Sequence, residues 1–238
     1  MEKKTGYVEL QVDDGTRMLA YTSIPSGKQS SKSILVFQEA FGVNSHIRGI
    51  TDRFAGLGFR SIAPELFHRD GDGLELPYTD FEKVRPHVQA VTTEGLEADV
   101  RAAYQWVRAQ PGADPDQIAC IGFCMGGRVS WIANSLLPLK AAISFYGGGI
   151  VPGLISRASD MHAPILMFWG GLDKHIPSDQ TRLIASSLDQ VGKPHIHVEI
   201  SYADHGFFCD EKPSFQPAAA AESWAMVLAF LEQKPGHP

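Results

Sequence analysis

Gln117-Ile118-Ala119-Cys120-Ile121-Gly122-Phe123-Cys124-Met125-Gly126-Gly127-Arg128-Val129 is the most informative segment of the chain. Its first half, through Ile121, is the short apolar run of a buried strand, and from Met125 a helical run extends to Leu136. Between them Gly122-Phe123-Cys124-Met125-Gly126 has the G-x-S-x-G form of a nucleophile on a sharp strand-to-helix turn, with cysteine in the serine's place. The glycines let the chain turn without a Cβ clash, so the sulfur projects beyond the strand while the free N–H groups of the helix point toward it. That helix end also favours the thiolate, the reactive form of the side chain. A structural cysteine beside a glycine turn is the plainer alternative, but it does not call for a strand and a helix on either side.

Apolar runs and helical patterns alternate on both sides of this turn. Tyr7 to Val12 and Arg17 to Ile24 flank Asp13-Asp14-Gly15-Thr16 and read as an antiparallel hairpin, followed by a Ser/Gly/Lys loop. Further strands are predicted over Ser33 to Gln38, Phe59 to Ala63, Ala141 to Tyr146, Ile165 to Trp169 and His195 to Ile200. Helices are predicted over Ser45 to Leu57, Glu94 to Arg108 and Asp179 to Val191. A last helix sets Trp224, Val227, Leu228 and Leu231 at core spacing, and in Glu94 to Arg108 the residues Leu96, Val100, Tyr104 and Val107 share a face. Continuous apolar strands separated by helices predict an α/β fold, a mostly parallel central sheet covered on both faces, in a single domain spanning 1–238. Leu66 to Val91, rich in Pro, Gly and charge, breaks the alternation and reads as a lid, a pocket wall or a plain surface excursion.

Composition narrows the function. The chain has 238 residues with a formal net charge of −6, and its charges form no run of one sign, which argues against nucleic acid as a partner. No apolar run approaches the roughly 18 residues of a membrane span, and the first residues lack the apolar core of a secretory signal, so the expected location is cytoplasmic. Three cysteines, Cys120, Cys124 and Cys209, make neither a disulfide framework nor a paired metal-ligand spacing. His195 and His197 share one strand face, but no third ligand accompanies them, and no metal or other cofactor is expected. Nothing in the sequence fixes an oligomeric state.

A nucleophile on such a turn needs a base and an acid, each on a loop after a later strand. Gly170-Gly171-Leu172-Asp173 follows one strand and Ser201-Tyr202-Ala203-Asp204-His205 follows the next, which offers Asp173 as the acid and His205 as the base. Asp204 is the rival acid, but chain neighbours rarely aim their side chains at each other. The oxyanion needs two backbone donors, and the expected pair is Met125, next to the nucleophile, and Ala40, in the loop after the strand ending at Gln38. Glu39 in that loop is expected to act on the thiol, unless it is a solvated loop acid. Phe41, Tyr146 and Arg85 are the residues expected to border a substrate.

Gln38-Glu39-Ala40-Phe41-Gly42, Ala63-Pro64-Glu65-Leu66, Gly122-Phe123-Cys124-Met125-Gly126-Gly127, Gly170 to Pro177 and Asp204-His205-Gly206-Phe207 together resemble the dienelactone hydrolase (carboxymethylenebutenolidase) family. The resemblance implies an α/β-hydrolase fold without a large cap, a triad of Cys124, Asp173 and His205, and a role for Glu39 in activating the thiol when substrate binds. It implies a small-molecule lactone or ester substrate. A thioester route favours substrates whose leaving group departs more readily than a thiolate, such as an enol or a phenol. Family members hold the carboxylate of dienelactone with arginines, one of them at the position of Cys209, with a serine at the position of Gly206. An uncharged ester or lactone is therefore expected to outperform dienelactone, and Cys209→Arg to narrow the gap. Two other readings are weaker. His197-Val198-Glu199 has the His-x-Glu form of glutamine amidotransferases but lies inside an apparent strand, and a non-catalytic ligand-binding or thiol-sensing protein would leave the triad residues idle.

Overall fold

The computed structural model describes residues 2–26 and 30–232. Part of the loop expected after the hairpin, 27–29, lies outside the described residues. The elements in chain order are β1 (Lys3–Gln11), β2 (Arg17–Pro25), β3 (Ser33–Phe37), α1 (Ser45–Gly56), β4 (Arg60–Pro64), α2 (Phe81–Ala90), α3 (Thr93–Arg108), β5 (Ile118–Phe123), α4 (Met125–Leu136), β6 (Ala141–Phe145), β7 (Ile165–Gly170), α5 (Ser178–Gln190), β8 (His195–Ile200) and α6 (Pro217–Glu232). The strands form one sheet in the order β1-β2-β4-β3-β5-β6-β7-β8. The chain groups into two compact units, Met1–Ile121 and Gly122–Pro238, and the boundary falls within β5.

In the first unit β1 and β2 pair antiparallel, with Tyr7 opposite Tyr21, as the hairpin signal predicts. β2 runs antiparallel to β4, and β4 parallel to β3. In the second unit β6, β7 and β8 are parallel neighbours. Strands β3 to β7 are buried along their whole length, whereas β1 and β8, at the ends of the order, expose residues. Unbroken apolar runs in the middle of a sheet and mixed runs at its edges are what burial of both faces requires.

Helix boundaries follow local capping. The Asn44 side chain accepts from the Ile47 amide at the start of α1, and Thr92 from the Gly95 amide at the start of α3. α3 buries Leu96, Val100, Tyr104 and Val107 as the periodicity predicts, and also Asp99, which the pattern gave no reason to place inside. Asp99 accepts from His68 Nε2 at 3.0 Å and from both Arg69 terminal nitrogens at 3.0 and 2.8 Å, so a charged cluster replaces solvent around it. Arg69 also binds Asp14 in the hairpin turn at 2.6 Å, and His68 Nδ1 lies 3.0 Å from the Arg17 carbonyl. In α6, Phe230 takes the buried place expected for Leu228, which is half-buried.

The irregular reading of Leu66 to Val91 is corrected over its second half, which is α2. Pro86 stands inside this helix, and a proline there is a breaking signal. It is tolerated because the carbonyl that loses its partner belongs to Glu82, on an exposed face open to water. Packing then supplies what propensity lacks: Val84 is buried with Ala40 and Phe41, and Leu76, Tyr78 and Val88 pack against them. The first half of the segment fastens onto the loop after β3, with Leu76 N–H donating to the Phe41 carbonyl at 3.0 Å and Asn44 Nδ2 to the Tyr78 hydroxyl at 2.7 Å.

Candidate active site

Cys124 lies between β5 and α4 with φ 53° and ψ −114°, a left-handed conformation that a side chain adopts only under constraint. Its N–H donates to the Phe145 carbonyl at the end of β6 at 3.0 Å, and its own carbonyl accepts from the Gly127 amide at 2.9 Å. Gly122 before the turn and Gly127 after it are steric necessities. A Cβ on Gly122 would stand 1.9 Å from the Gly126 carbonyl oxygen, and one on Gly127 would stand 2.7 Å from the Gly147 Cα. Cys124 is partly exposed, whereas Cys120 and Cys209 are buried.

Asp173 and His205 are held on the loops after β7 and β8, and these loops touch. A Cβ on Gly170 would meet the Ala203 carbonyl at 2.6 Å, and one on Gly171 the Ser201 Cα at 2.7 Å. The Gly171 and Leu172 amides then donate to the Ile200 and Ala203 carbonyls. His205 Nδ1 donates to Asp173 Oδ2 at 2.7 Å, and the Asp173 side chain is only 2% exposed. The other carboxylate oxygen accepts from the His175 and Ile176 amides at 2.8 and 3.2 Å. Asp204, the rival acid, accepts instead from the backbone N–H of His205.

Burial alone would lower the basicity of His205, but its hydrogen bonds to Asp173 and Cys124 and the negative charge on both push its pKa up to about 10. Burial would likewise raise Asp173, yet the hydrogen bond and charge of His205 and the two backbone donors hold it below the usual carboxylate range. A histidine flanked by two anionic partners stores a proton and can deliver it to a departing oxygen.

Tyr146, just past the end of β6, is the other non-glycine residue with positive φ among the described residues, at 38°. It is fully buried, and its ring centroid lies 5.0 Å from that of His205. His175, which the sequence gave no reason to single out, stands edge-on to His205 with centroids 5.7 Å apart. Gly206, at φ 79°, leaves no easy place for the serine that the family resemblance puts there, and Cys209 has no exposed surface.

The remaining expected site residues belong to the first unit. Glu39 is fully buried, which removes its reading as a solvated loop acid. Ala40 and Phe41 are buried, and the Phe41 ring packs against Tyr78 and Phe81 with centroids 4.6 and 6.0 Å apart. Arg85 is on α2, 57% exposed at its side chain and paired with Glu82 at 2.8 Å. His197 and Glu199 lie inside β8, where a His-x-Glu pair would not reach past a strand end.

The family model described as the dienelactone hydrolase family matches residues 18–234. A Synechocystis protein provisionally named carboxymethylenebutenolidase is 33% identical over 225 residues, covering 91% of this chain and 92% of that one. An Escherichia coli K12 protein of the same provisional name is 31% identical over 250 residues, covering 95% and 91%. A crystal structure of a provisionally named dienelactone hydrolase from Klebsiella pneumoniae superposes with a TM-score of 0.88 at 30% identity, covering 98% of this chain and all of that one.

Proposed function

This chain belongs to the dienelactone hydrolase family and has the α/β-hydrolase fold, and from that premise we propose that it opens a lactone or an activated enol or aryl ester through Cys124, His205 and Asp173. The observation that carries the reading is the His205 ring, bonded to Asp173 on one side and to the Cys124 sulfur on the other.

In the first half-reaction the Cys124 thiolate forms a bond to the carbonyl carbon, and the carbonyl π pair moves onto oxygen. The Met125 N–H, at the start of α4, donates to that oxygen. Collapse expels the alkoxide or enolate, which takes the proton of the His205 imidazolium, and leaves a thioester. Acylation removes the negative sulfur that raised the basicity of His205. With Asp173 as the remaining anionic partner, the imidazole takes a proton from water, and the hydroxide attacks the thioester. The second tetrahedral species returns the thiolate and releases the acid, and no cofactor takes part. The Ala40 amide, in the loop after β3, is the second oxyanion donor of this reading, and Glu39 activates the thiol, the role the family resemblance implies.

The test is hydrolysis of a 4-nitrophenyl ester. Cys124→Ala should lower kcat/KM by about 10⁴-fold or more while circular dichroism stays that of the wild type. Mass spectrometry of the rapidly quenched wild type should find an acyl group on Cys124. An alanine variant of full activity would remove Cys124 as nucleophile. A wild type inert to aryl esters and lactones alike would leave a ligand-binding or thiol-sensing role on this fold.

A further inference from the structure

Gln38, the residue after β3, is fully buried, and this mechanism leaves it without work. Both ends of its side-chain amide are engaged. Oε1 accepts from the Leu66 N–H, just past β4, at 3.0 Å, and Nε2 donates to the Glu39 carbonyl at 3.3 Å. A backbone N–H can only donate, so the bond to Leu66 fixes which end of the side chain is oxygen and turns the NH2 group to Glu39. The carbonyl it meets belongs to the peptide unit whose nitrogen is that of Ala40. This bond is trans, so its C=O and N–H point in opposite directions within one plane. Pinning the carbonyl therefore aims the Ala40 N–H away from Gln38. Ala40 is buried, and among the described residues its amide donates to no backbone carbonyl. A buried N–H with no such partner is rare, and an oxygen that arrives with the substrate would satisfy it.

Further along, the same loop is held by backbone contacts. Leu76 N–H donates to the Phe41 carbonyl at 3.0 Å, and a Cβ on Gly42 would stand 1.8 Å from the Leu74 carbonyl oxygen. Those contacts act beyond the φ and ψ of Ala40, and the plane of the Glu39–Ala40 peptide is left to Gln38. A donor on the Glu39 oxygen also polarises the peptide unit, which strengthens its N–H as a donor. We propose that Gln38 is a positioning residue for the oxyanion: anchored on the Leu66 N–H, it holds the Glu39–Ala40 peptide plane so that the Ala40 N–H is presented to the carbonyl oxygen of the substrate. The inference rests on Cys124 as nucleophile and Ala40 as second oxyanion donor, and adds the group that orients that donor.

The experiment compares three reactions of Cys124 in the wild type, Gln38→Glu and Gln38→Met, with thermal melts to establish folding. Hydrolysis of a 4-nitrophenyl ester passes through an oxyanion, reversible addition to an aryl trifluoromethyl ketone stops at one, and alkylation by iodoacetamide is a displacement that forms none. Gln38→Met removes both bonds of the side chain. Gln38→Glu keeps the acceptor for Leu66 and, at about pH 8 with its carboxyl ionised, puts an oxygen where the donor stood. Each should lower kcat about 10–100-fold, part of what loss of a whole oxyanion donor costs, with little change in KM, and weaken binding of the ketone by the same factor. Iodoacetamide should label Cys124 at the wild-type rate. A folded variant with unchanged kcat and ketone affinity overturns the proposal. Equal slowing of all three reactions does so too, because it would make Gln38 a support for the fold alone. Should both variants unfold, heteronuclear NMR of the wild type decides: the ketone adduct should shift the Ala40 amide and the Gln38 side-chain NH2 signals together, and an Ala40 shift alone, or none, overturns the proposal. A wild type that neither reagent modifies at Cys124 would instead refute the assignment of the nucleophile, whatever Gln38 does.

Discussion

The imidazole of His205 is bound from both sides by groups that prefer it charged, and that has consequences beyond catalysis. Its pKa is raised from 6.5 to about 10 in the folded chain, so the folded state binds the proton more tightly than the unfolded one. The stability this contributes is whole below pH 6.5 and is lost as the pH rises through about 10. Asp173 acts oppositely: its pKa is depressed, so its contribution is present above the ordinary carboxylate range and is lost as the pH falls through its lowered value. Denaturant melts between pH 6 and 10 should show a wild-type decline that His205→Asn flattens; an equal decline in both proteins would mean that the ring gains nothing from its partners. Asp173→Asn should keep the fold and lower kcat by roughly 10⁴-fold, because an amide no longer fixes the tautomer or supports the imidazolium.

At the scale of elements, Asp99 joins three parts of the first unit. Through Arg69 and His68 it ties α3 to the start of the segment after β4, and Arg69 carries the tie on to Asp14 in the turn between β1 and β2. A buried carboxylate with a histidine and an arginine on it is satisfied as a set, and removing the acid strands a guanidinium and an imidazole. Asp99→Ala should cost about 3–5 kcal/mol in chemical denaturation, several times what a surface ion pair is worth. A loss below about 1 kcal/mol would show that Arg69 and His68 find solvent without it.

For the molecule as a whole, substrate choice follows from positions that the fold has closed. The family resemblance puts an arginine where this chain has Cys209, and a charge-assisted contact to a carboxylate is worth about 1.5–3 kcal/mol. An uncharged aryl ester or lactone should therefore be turned over with a kcat/KM roughly tenfold or more above that for dienelactone, and a wide margin the other way in parallel assays would sink the idea. Cys209→Arg is the wrong reversal, because that side chain has no exposed surface: a guanidinium there would cost stability before it changed specificity.

The mostly parallel sheet, the hairpin, the sharp turn at Cys124 and the family were legible in the chain, because each rests on local spacing: apolar runs, glycines two residues to either side of a cysteine, capping residues ahead of helices. Asp173 and His205 were legible as types on the right loops. That they meet was decided by Gly170 and Gly171, whose missing Cβ atoms let the two loops pack at backbone distance. α2 was hidden because Pro86 is a local breaking signal, and burial of Val84 on Ala40 and Phe41 outweighs it. Asp99 was hidden for a related reason. Sequence periodicity sorts apolar from polar, and it carries no sign that a charged side chain is buried with a partner from a distant segment, as Asp99 is. The pattern of short-range interactions determined the fold; the pairing of charges inside it is set by which backbones approach, and that is a property of the folded chain alone.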